Sequence, residues 1–212
     1  ARLMISLDPE RAASVLSKML EKGATVPGWG QPDSELIGGT VGLLISMGGD
    51  NVLPLLKGPD LKVKTHIVQG IGNLGKKADK VLIEALEPLL KDPNLWVRIA
   101  VGKALLKLGR TESVLAVLEK ENATFHCQVV PALPETLDDT GIRILIRLWS
   151  SPDWSVRCSV FTVLRKAAPR EAAVRGPSLL ESKEHKHMWS FLAQELSRSK
   201  EPAGVPPLAA LL

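Results

Sequence analysis

A turn phrase, Pro followed by Asp or Asn, recurs at Pro32-Asp33, Pro59-Asp60, Pro93-Asn94 and Pro152-Asp153. The intervals are 27, 34 and 59 residues, the last being two units. A chain that repeats its punctuation at about 30 residues is built of stacked units rather than around one centre. A second phrase stays in register upstream of the turn: Pro54-Leu55-Leu56-Lys57, Pro88-Leu89-Leu90-Lys91 and, more loosely, Pro177-Ser178-Leu179-Leu180.

Between the markers the apolar residues keep helical spacing. Ala78, Val81, Leu82, Ala85, Leu86, Leu89 and Leu90 fall on one face, and Val97, Ala100, Val101, Ala104, Leu105 and Leu108 form the stripe of the next helix. The Asp or Asn after each Pro supplies an N-cap, and Gly48, Gly75 and Gly109 supply stops. First helices are predicted at 8–22, 49–57, 77–91, 111–120, 138–150 and 169–181, and second helices at 33–47, 60–74, 94–108, 123–133, 153–167 and 184–198. Pro131 and Pro134 each remove a helix amide, so the second helix there should be short or kinked. The segment 23–31 is predicted as a long loop within a unit. The predicted fold is all-α, a right-handed α-solenoid of about six stacked antiparallel helix pairs. It spans 1–200, followed by a proline-rich tail over 201–212.

Composition agrees with helices. Hydrophobic residues are 45% of the chain and aromatics only 4%, with no Tyr, so Leu, Val, Ile and Ala must fill the interior. A net charge of +4 permits an acidic partner without requiring one. Two cysteines, Cys127 and Cys158, make no disulfide framework, which favours a reducing compartment and a cytoplasmic location. The longest apolar stretch, Leu36 to Met47, contains three glycines and falls well short of the ~20 residues that span a bilayer. No membrane partner is expected.

The phrase Asp92-Pro93, then Val97-Arg98, then Ala104-Leu105 and Leu108-Gly109 resembles the HEAT-repeat superfamily, in particular its short, bilin-lyase-like repeats of about 30 residues. Asp60 with Val63-Lys64 and Leu74-Gly75, and Asp153 with Val156-Arg157 and Leu164, repeat it. The resemblance implies a curved inner surface lined by the second helices and a role in protein interaction. HEAT-like di-iron hydroxylases use repeated His-Glu pairs, and no His-Glu dipeptide occurs here. HEAT-like DNA glycosylases use a basic groove with aromatic residues and a catalytic Asp, whereas the Asp residues of this chain stand at turns and caps.

The second helices are where a partner is expected. From 60 to 168 they carry many Lys and Arg, against Asp60 and Asp153 at cap positions. Alignment of the units puts Lys64, Arg98, His126, Arg157 and Lys186 at one equivalent position. The resemblance gives this position a structural use, pairing with the turn Asp. Lys103, Lys107 and Arg165 lie further along their helices and should be freer, either to bind or simply to be solvated. Trp96 and Trp154, with Phe125 between them, would make a row of flat side chains for a protein hot spot or single-stranded nucleic acid, or else cover the ends of the core. Cys127 and Cys158 are read as small core residues, too far apart for a disulfide. The cluster Glu184-His185-Lys186-His187 lacks metal-ligand spacing, since neighbours on a helix do not face one another. Gly70-Ile71-Gly72 belongs to a helix rather than a phosphate loop, and the glycines at Gly38, Gly39 and Gly42 are expected to let helices approach closely.

The sequence therefore predicts a non-catalytic scaffold that binds a protein or peptide through Trp96, Arg98, Lys103, Lys107, Trp154, Arg157 and Arg165. No catalytic residue, metal, cofactor or small-molecule substrate is predicted. Nucleic-acid binding in a glycosylase-like groove and a bilin-lyase-like module are the alternatives.

Overall fold

The computed structural model describes residues 9–21 and 34–179, and everything described is helix or turn. Eleven α-helices follow one another among the described residues: α1 (Pro9–Glu21), α2 (Ser34–Met47), α3 (Leu53–Leu56), α4 (Leu61–Leu74), α5 (Lys80–Leu86), α6 (Leu95–Lys107), α7 (Thr111–Leu118), α8 (Ala123–Val129), α9 (Asp139–Leu148), α10 (Trp154–Ala167) and α11 (Pro169–Arg175). The all-α expectation holds. The predicted loop at 23–31, the helix at 184–198, the tail over 201–212, Lys186 and the cluster at 184–187 lie outside the described residues.

Each turn stops one helix and starts the next by the chemistry its sequence supplies. Asp60 Oδ1 accepts from the amides of Lys62 and Val63 at 2.8 and 3.0 Å. Asn94, Asn122 and Asp153 cap α6, α8 and α10 in the same way, each cap contributing about 1 kcal/mol. At the other end of α6, Gly109 takes φ 76°, which lets Arg110 N donate to the Leu105 carbonyl at 2.8 Å. With Gly109 N on the Leu106 carbonyl at 3.1 Å, this closes the helix on two of its own orphan carbonyls.

Proline shortens two of the helices relative to their apolar stripes. The α-helix of α5 ends at Leu86, and Glu87–Lys91, which contains Pro88, continues as a 3-10 turn. Pro131 does the same to α8, whose last turn is the 3-10 segment Val130–Ala132, so the expected shortening is seen. A proline ring clashes with the carbonyl four residues back, and the tighter helix relieves the clash. In α5 the residues Leu82 and Leu86 are buried while Val81 is exposed, so the stripe is narrower than predicted.

The chain divides into two compact units, Ala1–Val114 and Leu115–Leu212. In the first, α2 packs on α4 and α4 on α6, burying Val63, Ile67, Val68 and Ile71 of α4 and Val97, Val101 and Leu105 of α6. A Cβ on Gly72 would lie 2.8 Å from Ala104 Cβ and 2.9 Å from its Cα, so α4 and α6 meet backbone to backbone there. In the second unit α8, α9 and α11 pack on α10, around Phe125, Val129, Val156, Val160 and Leu164.

Candidate functional site: the outer face of the second helices

The position shared by Lys64, Arg98, His126 and Arg157 ties second helices to turns. Arg98 Nη1 donates to the carbonyls of Asp92 and Pro93 at 2.9 and 3.3 Å. Arg157 Nη1 donates to those of Ser151 and Pro152 at 2.7 and 3.1 Å. Buried His126 donates from Nε2 to the Leu118 carbonyl at 2.7 Å. These are carbonyls left open where the preceding segment ends, and a buried orphan carbonyl costs about 1–3 kcal/mol. The carboxylate of Asp92 goes instead to the unit before it, accepting from Lys64 Nζ at 3.1 Å, with the two side chains 16% and 7% exposed. The ladder residues hold turns together, Arg98, His126 and Arg157 through carbonyls and Lys64 through the carboxylate of the following turn, where the resemblance implied an Arg on the turn Asp. Turn carbonyls, alongside the turn carboxylate, are its anchors.

Four positions along each second helix, two residues before the shared position and two, five and nine after it, face outward except at the buried Ala100. Counting from the shared position, Lys62, His66, Gln69 and Asn73 of α4 stand in register with Trp96, Ala100, Lys103 and Lys107 of α6. Neither helix contains Asp or Glu. Lys107 is not free as expected: its Nζ donates to Asn73 Oδ1 at 2.9 Å. Lys103 and Arg165 are also engaged. In the second unit the same register gives Thr124, Gln128, Pro131 and Glu135, then Ser155, Ser159, Thr162 and Lys166. There Ser159 and Thr162 hydroxyls donate to carbonyls of their own helix at 2.9 and 3.0 Å. Lys166 Nζ meets Glu135 Oε1 at 2.6 Å, and this hydrogen bond and charge hold the Glu135 carboxyl below its ordinary 4.5.

The first unit carries two grooves on this face. One, of about 300 Å³, lies between α2 and α4 and is lined by Gly38, Val41, Gly42, Ile45, His66, Gln69, Gly70, Asn73 and Leu74. The other, of about 230 Å³, lies between α4 and α6, with Lys103 and Lys107 on its far wall and Gln69 and Asn73 on its near one. The expectation for the α2 glycines is corrected here: a Cβ on Gly39 or Gly42 would meet nothing within 4 Å, and one on Gly38 only His66 at 3.7 Å. The close approaches belong to Gly70 and Gly72 of α4. The α2 glycines leave room instead, and Gly38 and Gly42 line the first groove.

The aromatic residues do not form a row. Phe125 is fully buried, Trp154 is half-buried with Nε1 donating to the Leu179 carbonyl at 3.4 Å, and Trp96 is 57% exposed. The shared register explains this. Phe125 falls at the core position of Val63, Val97 and Val156; Trp154 falls at that of Leu61 and Leu95; only Trp96 is at the outward position of Lys62. One residue is about 100° around a helix, so near-alignment in sequence scatters the rings to different faces.

Cys127 and Cys158 are free thiols and only partly buried. Burial pushes the Cys158 thiol up to about 12 and raises that of Cys127. Among the described residues no three His, Cys, Asp or Glu are grouped to hold a metal ion. No helix among them is long and apolar enough to cross a membrane.

No curated protein matches the chain significantly. Residues 49–124, which run from the turn before α3 into α8, match the family model for HEAT repeats, and this match, with the helix pairs and their capped turns, identifies this stretch as HEAT repeats and supports the HEAT-repeat superfamily for the chain.

Proposed function

We propose that the chain is a binding scaffold rather than an enzyme, and that it docks an acidic protein segment on the outer face of α4 and α6. HEAT repeats commonly mediate protein interactions, and stacked helix pairs offer extended surfaces for doing so. The observation that carries the reading is the charge of this face. Its last-turn Lys107 is met by the neutral amide of Asn73, so the charge of Lys107 is held in place without being cancelled, and neither α4 nor α6 contributes a carboxylate to the face. In the other unit Glu135 neutralises Lys166, so the first unit is the better candidate. Trp96, a large exposed aromatic on the same face of α6, would be the apolar anchor beside the cations. Arg98 and Arg157 contribute by holding the turns, and Trp154 and Arg165 would make a lesser contact in the second unit. Free thiols at Cys127 and Cys158 suit work in the cytoplasm.

The test is fluorescence anisotropy of labelled polyglutamate, and of short single- and double-stranded DNA and RNA, at low and moderate salt, against the intact chain and Lys103→Gln/Lys107→Gln. Polyglutamate binding that falls at least tenfold in the double variant supports the reading. Preference for nucleic acid, with a steep salt dependence from counterion release, would replace it with the nucleic-acid alternative.

A further inference from the structure

The spacing of the outward amides narrows the kind of acidic segment. Gln69 and Asn73 are one helical turn apart, a rise of about 6 Å. An extended strand advances about 6.6 Å for every two residues. A strand laid along α4 therefore brings backbone groups of alternate residues over both amides. Asn73 is oriented for this, because Lys107 Nζ holds its Oδ1 at 2.9 Å, which leaves Nδ2 to donate to a partner's carbonyl.

The two sides of that ridge differ in chemistry. Gln69 and Asn73 border both grooves. On one side the α2–α4 groove offers Val41, Ile45 and Leu74, with glycines in place of side chains along α2. On the other side Lys103 and Lys107 repeat the same one-turn spacing. Successive side chains of an extended strand point to opposite sides, so one set of a bound strand would enter the apolar groove and the other would reach the cations. A bound helix, about 10 Å across, presents its charges at three- and four-residue intervals and has no free backbone groups to give the amides.

We infer that this face takes an extended segment in which acidic and aliphatic residues alternate, gripped through its backbone by Gln69 and Asn73. The inference rests on the acidic-partner reading above and adds the conformation and pattern of the ligand. Its test uses two labelled decapeptides of one composition, alternating Glu-Val and a block of five Glu followed by five Val. Their anisotropy is measured with the intact chain, with Gln69→Ala/Asn73→Ala and with Lys103→Gln/Lys107→Gln, and circular dichroism checks that each variant folds.

The alternating peptide should bind at least tenfold tighter than the block. Gln69→Ala/Asn73→Ala should erase that preference while leaving weak, salt-sensitive binding. Equal affinity for the two peptides, a preference that survives loss of both amides, or binding of polyglutamate but of neither decapeptide would overturn the extended-segment inference alone. Binding that ignores Lys103→Gln/Lys107→Gln would overturn the acidic-partner reading beneath it.

Discussion

Lys107 and Lys166 occupy one register position in the two units, and each reaches back to the same position one repeat earlier. Lys107 finds an amide, Asn73; Lys166 finds a carboxylate, Glu135. Both contacts are good hydrogen bonds, and both place a cation at the end of a helix where the dipole favours it. The difference is in what is left over. An amide partner fixes the ammonium without cancelling its charge, whereas a carboxylate makes a neutral pair. A basic residue count therefore overstates the positive face of the second unit. The hydroxyls of Ser159 and Thr162, turned back onto their own helix, make it plainer still.

The comparison extends to how each unit is held together, and there the largest effect is expected. The Lys64–Asp92 pair of the first unit is largely buried, and Asp92 Oδ1 also accepts from Asn94 N at 2.8 Å. Asp92→Ala should cost roughly 2–4 kcal/mol, the cost of stranding a shielded ammonium and a turn amide. Hydrogen exchange should show the loss in α4 and α6 and leave α10 protected. Equal loss in both units would mean that they unfold as one, and the distinction drawn here would not apply to stability.

Exchanging the two partners tests the surface itself. Asn73→Glu should weaken polyglutamate binding by about tenfold, or 1.4 kcal/mol, with little change in melting temperature because the residue is exposed. Glu135→Asn should create weak binding in the second unit. If Asn73→Glu binds as well as the parent, the acidic-partner reading fails for the first unit.

The smallest effect is a titration. Glu135 is held below 4.5 by Lys166, so its pairing contributes fully above the ordinary carboxylate range and is lost as pH falls through the lowered value. The side chains are exposed, so the change in stability should be slight. NMR should nonetheless show Glu135 titrating low, and returning toward 4.5 in Lys166→Met. A carboxyl already at 4.5 in the parent would mean that the neutral pair does not persist in solution.

Much of the fold was legible because its signals are local. Asp60, Asn94 and Asp153 announce their helices by capping them, Gly109 ends α6 through a dihedral few other residues adopt, and Pro131 shortens α8 by its missing amide. The site was legible only in part, because its character depends on pairs about thirty residues apart. Lys107 looks free until Asn73 is placed beside it, and Lys166 looks like Lys107 until Glu135 is. The aromatics were open to two readings, a row or cover for the ends of the core, and the register decides between them. The ladder of Lys64, Arg98, His126 and Arg157 already contained the register that separates Phe125 from Trp96, and applying it to every column would have put Phe125 among the core valines. The α2 glycines give no local sign of whether they admit a neighbouring helix or leave space for something else.

The shared register also bears on how such a chain can change its length. The ladder positions are separated by 34, 28 and 31 residues, yet α4, α6 and α10 are 14, 13 and 14 residues long, with α8, cut to 7 ahead of Pro131, the exception. A residue gained or lost inside α6 would turn everything beyond it by about 100°, carrying Lys107 off the outer face and breaking the seat of Gly72 on Ala104. The same change in a turn or a proline-shortened first helix shifts no second-helix face. Insertions and deletions in descendants of this sequence should therefore collect in those segments, which act as slack between rulers of fixed length.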